Sequence, residues 1–216
     1  MQRITRSMFV AALAAALVGC ASSGSGRTTT VESRGTVALT TAQSFRESMR
    51  ALWSDHVVWT REYIVAAVAD QPSAKAASTR LLKNQEDIGK AIVPYYSADA
   101  GNKLTDLLKQ HILIAVDLVA AAKANDAAKQ ADADKRWHTN ADEIATFLSG
   151  ANPNWPKQTL LDMLNEHLTL TTQEAVARLQ GNWDEDVATF DKIYMQAMKM
   201  ADALSDGIIK QHATMF

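Results

Sequence analysis

Leu52-Trp53-Ser54-Asp55-His56-Val57-Val58-Trp59-Thr60 returns twice along the chain in degenerate form. The second copy is Leu107-Leu108-Lys109-Gln110-His111-Ile112-Leu113-Ile114-Ala115, and the third is Met163-Leu164-Asn165-Glu166-His167-Leu168-Thr169-Leu170-Thr171. The three histidines stand 55 and 56 residues apart. A regular period of that size marks a tandem structural unit.

Outward from each copy, apolar residues recur every three or four positions, the period of a helix with one buried face. Around the first they are Phe45, Met49, Leu52, His56, Trp59, Tyr63 and Ala67, which predicts a helix over 41–70. Gln71-Pro72-Ser73 breaks it, with Ser73 as N-cap of a second helix over 74–93 that carries Leu81, Asn84, Ile88 and Ala91 on one face. Pro94-Tyr95-Tyr96 ends that helix, since proline cannot continue the ladder.

A third helix starts between Asp99 and Lys103 and shows Leu104, Leu107, His111, Ile114, Leu118 and Ala121. The alanine-rich stretch 125–134 leaves its end undefined. The fourth holds Trp137, Asn140, Ile144 and Phe147 up to Gly150 and the Asn152-Pro153-Asn154-Trp155-Pro156 stop. The fifth carries Leu160, Met163, His167, Leu170, Glu174 and Ala177 to Gly181, and the sixth Val187, Phe190, Tyr194, Ala197, Ala201, Leu204 and Ile208. Asp184, Glu185 and Asp186 in its first turn suit the positive end of a helix dipole.

Strand signals are lacking, and the few prolines and glycines fall mostly at helix ends. The expected fold is all-α, a six-helix bundle of three tandem helical hairpins of about 55 residues, near 40–95, 96–152 and 153–212. The repeat reaches the second helix of each pair: Asn84-Gln85-Glu86-Asp87-Ile88 matches Asn140-Ala141-Asp142-Glu143-Ile144 at a step of 56. In hairpin three the nearest counterpart is Met200-Ala201-Asp202-Ala203-Leu204, one turn out of register.

The front of the chain reads as an address. Arg3 and Arg6 precede an apolar run from Met8 to Val18, which is too short to span a bilayer and fits a secretory signal. Leu17-Val18-Gly19-Cys20 resembles the lipobox of bacterial lipoproteins. The resemblance implies a signal peptide over 1–19, palmitate-type acylation of Cys20, and a lipid anchor to the cell envelope. Ala21 after the cysteine is compatible with the outer membrane, facing the periplasm, in a Gram-negative cell. Each buried methylene of an acyl chain contributes about 0.8 kcal/mol, so more than one chain gives stable anchoring.

Residues 20–37, rich in Ser, Gly and Thr, read as a tether, and 38–216 as a single helical-bundle domain. Cys20 is the only cysteine, so no disulfide can form within the chain. Without the signal, 20 basic residues face 24 acidic ones, and no basic run with interleaved aromatics points to nucleic acid.

His56, His111 and His167 each occupy a position where the apolar stripe calls for a core residue, and so do Asn84 and Asn140. A buried imidazole or amide left unpaired costs about 1–3 kcal/mol, so a polar network between hairpins is expected. Asp87 and Glu143 follow the asparagines by one turn, and Glu62, Asp117 and Glu174 follow the histidines by six or seven residues. One reading is a metal site of His56, His111, His167, Glu174, Asp87 and Glu143 holding a transition metal ion such as Zn or Fe, because helical bundles bind metals through facing His and carboxylate groups. The Glu-x-x-His signature of ferritin-like di-iron proteins is missing, and Asp55-His56 and Glu166-His167 are adjacent pairs whose side chains diverge by about 100°. The other reading is that each imidazole bonds an acid or a carbonyl of a neighbouring hairpin and fixes register.

An enzyme would use the three histidines as ligands and Glu166 or Asp55 as base. Met195, Met198 and Met200 are weighed as a soft-metal box against ordinary core spacing. Trp53, Trp59, Trp155 and Trp183 are weighed as a groove for a small ligand or carbohydrate against packing between hairpins. His138 reads as a helix-start contact and His212 as part of the tail. There is no phosphate-binding glycine loop, nucleophile elbow or cysteine knuckle.

Leu52-Trp53-x-Asp55-His56-Val57-x-Trp59-Thr60-Arg61, Asn140-Ala141-Asp142-Glu143-Ile144-Ala145, Glu166-His167-Leu168-x-Leu170-Thr171 and Gly207-Ile208-Ile209-Lys210-Gln211 resemble a bacterial family of uncharacterised all-helical proteins. The likeness covers about residues 45–216. Its members often carry the labels acetylglutamate kinase or glycosyltransferase by automated transfer. The resemblance implies the helical fold and no activity. An amino-acid kinase needs glycine-rich loops at strand ends to hold phosphate, and this chain has none.

Overall fold

The computed structural model describes residues 40–216, which belong to one compact unit. The signal peptide, Cys20 and the tether lie outside the described residues. Six α-helices follow in order: α1 (Thr41–Val68), α2 (Ala74–Ile92), α3 (Ala98–Lys123), α4 (Ala127–Ala151), α5 (Lys157–Gln180) and α6 (Trp183–Gln211). A single 3-10 turn, Ala213–Met215, follows α6, and no strand occurs among the described residues.

The helices pair as α1–α2, α3–α4 and α5–α6, the three expected hairpins, and α6 returns to pack on α1, so the ring is closed. α1, α3 and α5 all touch one another at the centre, while α2, α4 and α6 each bridge two of these inner helices. The arrangement is a pseudo-threefold bundle rather than a row. Arg46 to Asp206 and Arg50 to Asp202, both 2.6 Å, tie the seam between α1 and α6 at the surface.

The repeat extends to the turns. Asp70, Asn125 and Gly181 each end the first helix of a hairpin with positive φ, at 54°, 53° and 73°, and they share the histidine spacing. After each one the next amide closes back on the helix: Gln71 N to Ala66 O, Asp126 N to Ala121 O and Asn182 N to Ala177 O. This is the Schellman closure, which satisfies the last free carbonyls of a helix and reverses the chain. Asn and Asp tolerate the left-handed conformation through their short polar side chains, and Gly meets no Cβ penalty.

Starts are set by side chains where one is suitably placed. Thr40 and Gln43 form a reciprocal capping box at α1, Ser97 accepts from Ala100 N at α3, and Asp126 accepts from Lys129 N at α4. Ser73 precedes α2 as expected but makes no cap bond, because its backbone is already helical (φ −67°, ψ −17°). Between hairpins one and two, α2 crosses α3 with Gly89 against Gly101, where a Cβ on either would lie 2.6–2.7 Å from the other's carbonyl oxygen.

Candidate functional site

Each inner helix sends its histidine to the centre, where His56, His111 and His167 are 2%, 3% and 5% exposed. The ring centroid of His167 lies 5.7 Å from that of His56 and 6.2 Å from that of His111. The imidazoles of three separate hairpins thus share one interior, as the stripe positions predict. Burial holds all three in the neutral form. It drives His56 well below the ordinary imidazole value, with His167 and His111 adding to the effect, and it lowers His111 to about 3 and His167 to about 4.

The second helix of each hairpin supports the first through an amide. Asn84 Nδ2 donates to Leu52 O at 2.9 Å, Asn140 Nδ2 to Leu107 O at 3.1 Å, and Gln196 Nε2 to Met163 O at 2.8 Å. In every case the acceptor lies four residues before the histidine. Gln196 is therefore the third copy of the inward amide, in strict register 56 residues after Asn140. Asp202, the out-of-register counterpart suggested by sequence, sits on the surface with Arg50.

The far end of each amide meets the imidazole differently. Trp137 Nε1 donates to His111 Nε2 at 3.1 Å, which makes Nε2 the acceptor and places the ring proton on Nδ1, 2.9 Å from Asn140 Oδ1. In hairpin one Gln85, fully buried, has its Nε2 3.2 Å from His56 Nδ1, and the same amide nitrogen donates to Leu81 O and Asn84 Oδ1. An amide nitrogen only donates, so in this contact His56 Nδ1 is the acceptor, and the nitrogen's two protons are shared among three acceptors. In hairpin three the pairing is open: His167 Nδ1 and Gln196 Oε1 both lack a partner, as do Trp53 Nε1 and Gln85 Oε1. Among the described residues His56 Nε2 and His167 Nε2 make no hydrogen bond.

Two largely apolar cavities, of about 40 and 70 Å³, are both lined by all three histidines. Met49, Met163 and Met200 line the smaller one beside all three rings. The larger runs toward Tyr63, Val119 and Thr171.

The expected carboxylates are elsewhere. Asp87 is bound to Lys83 at 2.9 Å on the outer face of α2, and Glu143 is exposed on α4. Each follows an inward asparagine by three residues, which turns it about 60° off the inward stripe. Glu62 and Asp117 are exposed too.

Glu174 is buried, as its stripe position predicts, yet seven residues place it about 10 Å along α5 from His167. There it pairs with Arg61, which also forks onto Asp186 at 2.9 and 3.1 Å, and Arg178 reaches Asp186 at 3.0 Å. Burial pushes the Glu174 carboxyl up to about 7 against the pull of Arg61. This four-charge cluster ties α1, α5 and α6 together. In the sequence Asp186 is visible only as a helix-start charge.

The base candidates also lie outside the centre: Asp55 is paired with Arg80 at 2.6 Å and Glu166 is exposed. Among the described residues no three His, Cys, Asp or Glu side chains stand arranged so that they could hold a metal ion. The tryptophans are dispersed rather than gathered in a groove. Trp53 and Trp155 are core, Trp59 lies under Arg80, and Trp183 is 57% exposed beside Arg178. Met195 is exposed on α6 while Met200 is buried, so Met195, Met198 and Met200 form no box. His138 bonds Asn165 at the surface, and His212 packs against Tyr95 and Tyr96.

Among the described residues no helix is long and apolar enough to cross a membrane. Compared with protein-family models, curated proteins and solved structures, the chain matches none.

Proposed function

We propose that this is a lipid-anchored protein of the bacterial cell envelope whose bundle captures a transition metal ion through His56, His111 and His167. The anchor reading rests on the lipobox-like Leu17-Val18-Gly19-Cys20. The resemblance to the bacterial helical family supports a fold and leaves the activity to be argued from the site.

The observation that carries the metal reading is the meeting of three buried, uncharged imidazoles from three hairpins around His167. Neutral imidazole is the metal-binding form, and second-shell carbonyls on Nδ1, such as Asn140 Oδ1 on His111, are how proteins aim Nε2 at an ion. As the rings stand they do not form a ready site. Ligation requires the Gln85 amide to turn its unpartnered Oε1 to His56 Nδ1 so that the ring proton leaves Nε2, His167 to turn toward His111, and His111 Nε2 to leave Trp137. The adjoining cavities give the rings room for that motion. Because Asp87 and Glu174 are paired with Lys83 and Arg61 and Glu143 is exposed, the donor set shrinks to the three rings. No acid stands beside them to act as a base, which favours binding over catalysis.

The test is metal analysis of the untagged, detergent-extracted protein after growth in metal-supplemented medium, beside His167→Gln and His111→Gln. The reading predicts close to one equivalent of a transition metal in the parent and its loss in both variants. Less than about a tenth of an equivalent in the folded parent would remove it. Labelled palmitate should enter the parent and be absent from Cys20→Ser; equal labelling of both, or none in either, would remove the anchor.

A further inference from the structure

Apart from any ion, we infer that His56 and His167 form a binding site for a small neutral alcohol, which sets its hydroxyl between the two Nε2 atoms and its alkyl tail in the larger cavity. The ring protons decide the match. Gln85 Nε2, an amide nitrogen, can only donate to His56 Nδ1, so the His56 proton is on Nε2, which is left as a donor. At His167 the order is reversed. Gln196 spends its nitrogen on Met163 O and has only its carbonyl oxygen to offer the ring, as Asn140 has for His111. Burial lowers His167, and the Gln196 side chain opposes that shift, as an acceptor of the ring proton does. The proton is therefore on Nδ1, and Nε2 is left as an acceptor. Among the described residues neither Nε2 makes a hydrogen bond, and neither is sealed from all water-sized space as His167 Nδ1 is.

One donor and one acceptor, both uncharged, are the complement of a hydroxyl group. The two ring centroids are 5.7 Å apart. An oxygen that bonds each nitrogen at about 2.8 Å spans a gap of about 4.5–5.5 Å, which is of that size. A carbonyl or ether would leave the His167 lone pair unpaired, and an ammonium or carboxylate would carry charge into an apolar interior. The rest of the site is largely hydrocarbon. Both rings line the cavity of about 70 Å³, with Ile64, Leu81, Ile112 and Val119 on its wall. Thr60 and Thr171 are there too, but they donate to the carbonyls of His56 and His167. A water in the gap would find two partners and then mostly apolar neighbours, whereas an alcohol makes the same two bonds and lays its tail on that wall. Since a water takes about 30 Å³ of the liquid, the cavity has room for a tail of roughly two or three carbons. It reaches Val176, which is 40% exposed and marks the way in.

The test is a titration of the full, detergent-extracted and chelator-treated protein with methanol, ethanol and propan-1-ol, followed by nitrogen-15 resonance of the imidazoles. The expected result is a saturable shift at Nε2 of His56 and of His167, with His111 unmoved. Affinity should be in the millimolar range for so small a ligand and rise about three- to fourfold for each added methylene. 1-Chloropropane, which has the tail without the hydroxyl, should bind roughly tenfold more weakly than propan-1-ol or worse. Ala115→Leu fills the cavity without touching a histidine; it should keep the parent's circular dichroism and lose binding, and in the same detergent it corrects for partition into the micelle. 1-Chloropropane bound as tightly as propan-1-ol, or shifts at His111 in place of the pair, would overturn the inference. Rings that respond to none of the alcohols would mean that water alone fills the gap, and would overturn it as well. Because no ion is present, such a failure leaves the metal reading to its own analysis, and a protein found free of metal leaves the alcohol site standing.

Discussion

Trp137 Nε1 donates to His111 Nε2 at 3.1 Å, and that bond sets the tautomer of the central imidazole. With Nε2 occupied as acceptor, the ring proton is on Nδ1 and is taken by Asn140 Oδ1. Trp137→Phe removes the donor while keeping an aromatic ring in the core. The loss of one buried hydrogen bond and some volume is expected to destabilise the fold by about 1–3 kcal/mol, read as a shift in urea midpoint at constant slope. The same change frees His111 Nε2, so metal affinity should rise as stability falls. A variant that loses both stability and metal would show that the tryptophan supports the site instead of competing for it.

The three amides that bond Leu52 O, Leu107 O and Met163 O are not equivalent, because only Asn140 also satisfies a histidine proton. Asn140→Leu is expected to cost about 2–4 kcal/mol, since it strands His111 Nδ1–H in an apolar interior. Gln196→Leu is expected to cost less, because Gln196 Oε1 has no partner to lose. Urea unfolding of the two single variants gives the order directly. The reverse order would mean that His167 depends on Gln196 more than His111 depends on Asn140.

Acid should weaken the bundle. Above the ordinary imidazole value of 6.5 the rings are neutral in both folded and unfolded chains. Below it the unfolded chain takes up protons that the folded one refuses until about 4 at His167 and about 3 at His111. Each ring then removes up to about 1.4 kcal/mol per pH unit over that window. Glu174 works the other way: with its carboxyl raised from 4.5 to about 7, the fold holds a proton between those values that the unfolded chain has released. Three rings against one carboxyl leave a net loss of stability as pH falls from 6.5 toward 4. Urea midpoints at pH 7.5, 5.5 and 4.5 should fall in that order, and a flat or rising series would contradict neutral burial of the histidines.

Arg61 joins two buried carboxylates, Glu174 and Asp186, and is stacked over Phe190. Arg61→Leu removes the one cation hydrogen-bonded to Glu174 and is expected to cost about 3–5 kcal/mol at neutral pH. Glu174→Gln keeps an acceptor for Arg61 while Asp186 retains Arg178, so its cost should be much smaller. Thermal unfolding of the two proteins separates them, and equal losses would mean that the charges matter less than the packing.

The histidine frame was legible because a stripe of period 3.6 admits few inward positions, and three such stripes carried a histidine at one spacing. The carboxylates misled because a step of three from an inward asparagine already turns Asp87 and Glu143 outward, and a step of seven returns Glu174 to the stripe two turns away from the imidazoles. Gln196 was hidden by identity: hairpin three replaces Asn by Gln and the two following acids by Met198 and Lys199, so only strict counting from Asn140 finds it. The hairpin turns were hidden in the same way, since Asp70 and Asn125 stand where only Gly181 advertises a left-handed residue. Closure of the ring had no local signal. It depends on α6 packing against α1, two helices more than a hundred residues apart in sequence.

The most direct test of a shared dry interior is nitrogen-15 magnetic resonance of the imidazole side chains between pH 8 and pH 5, with assignments from single His→Gln variants. His56, His111 and His167 should keep the shifts of neutral rings throughout, and His111 should show the Nδ1–H tautomer. Protonation of any of the three near the ordinary imidazole value would place that ring in water and contradict the account.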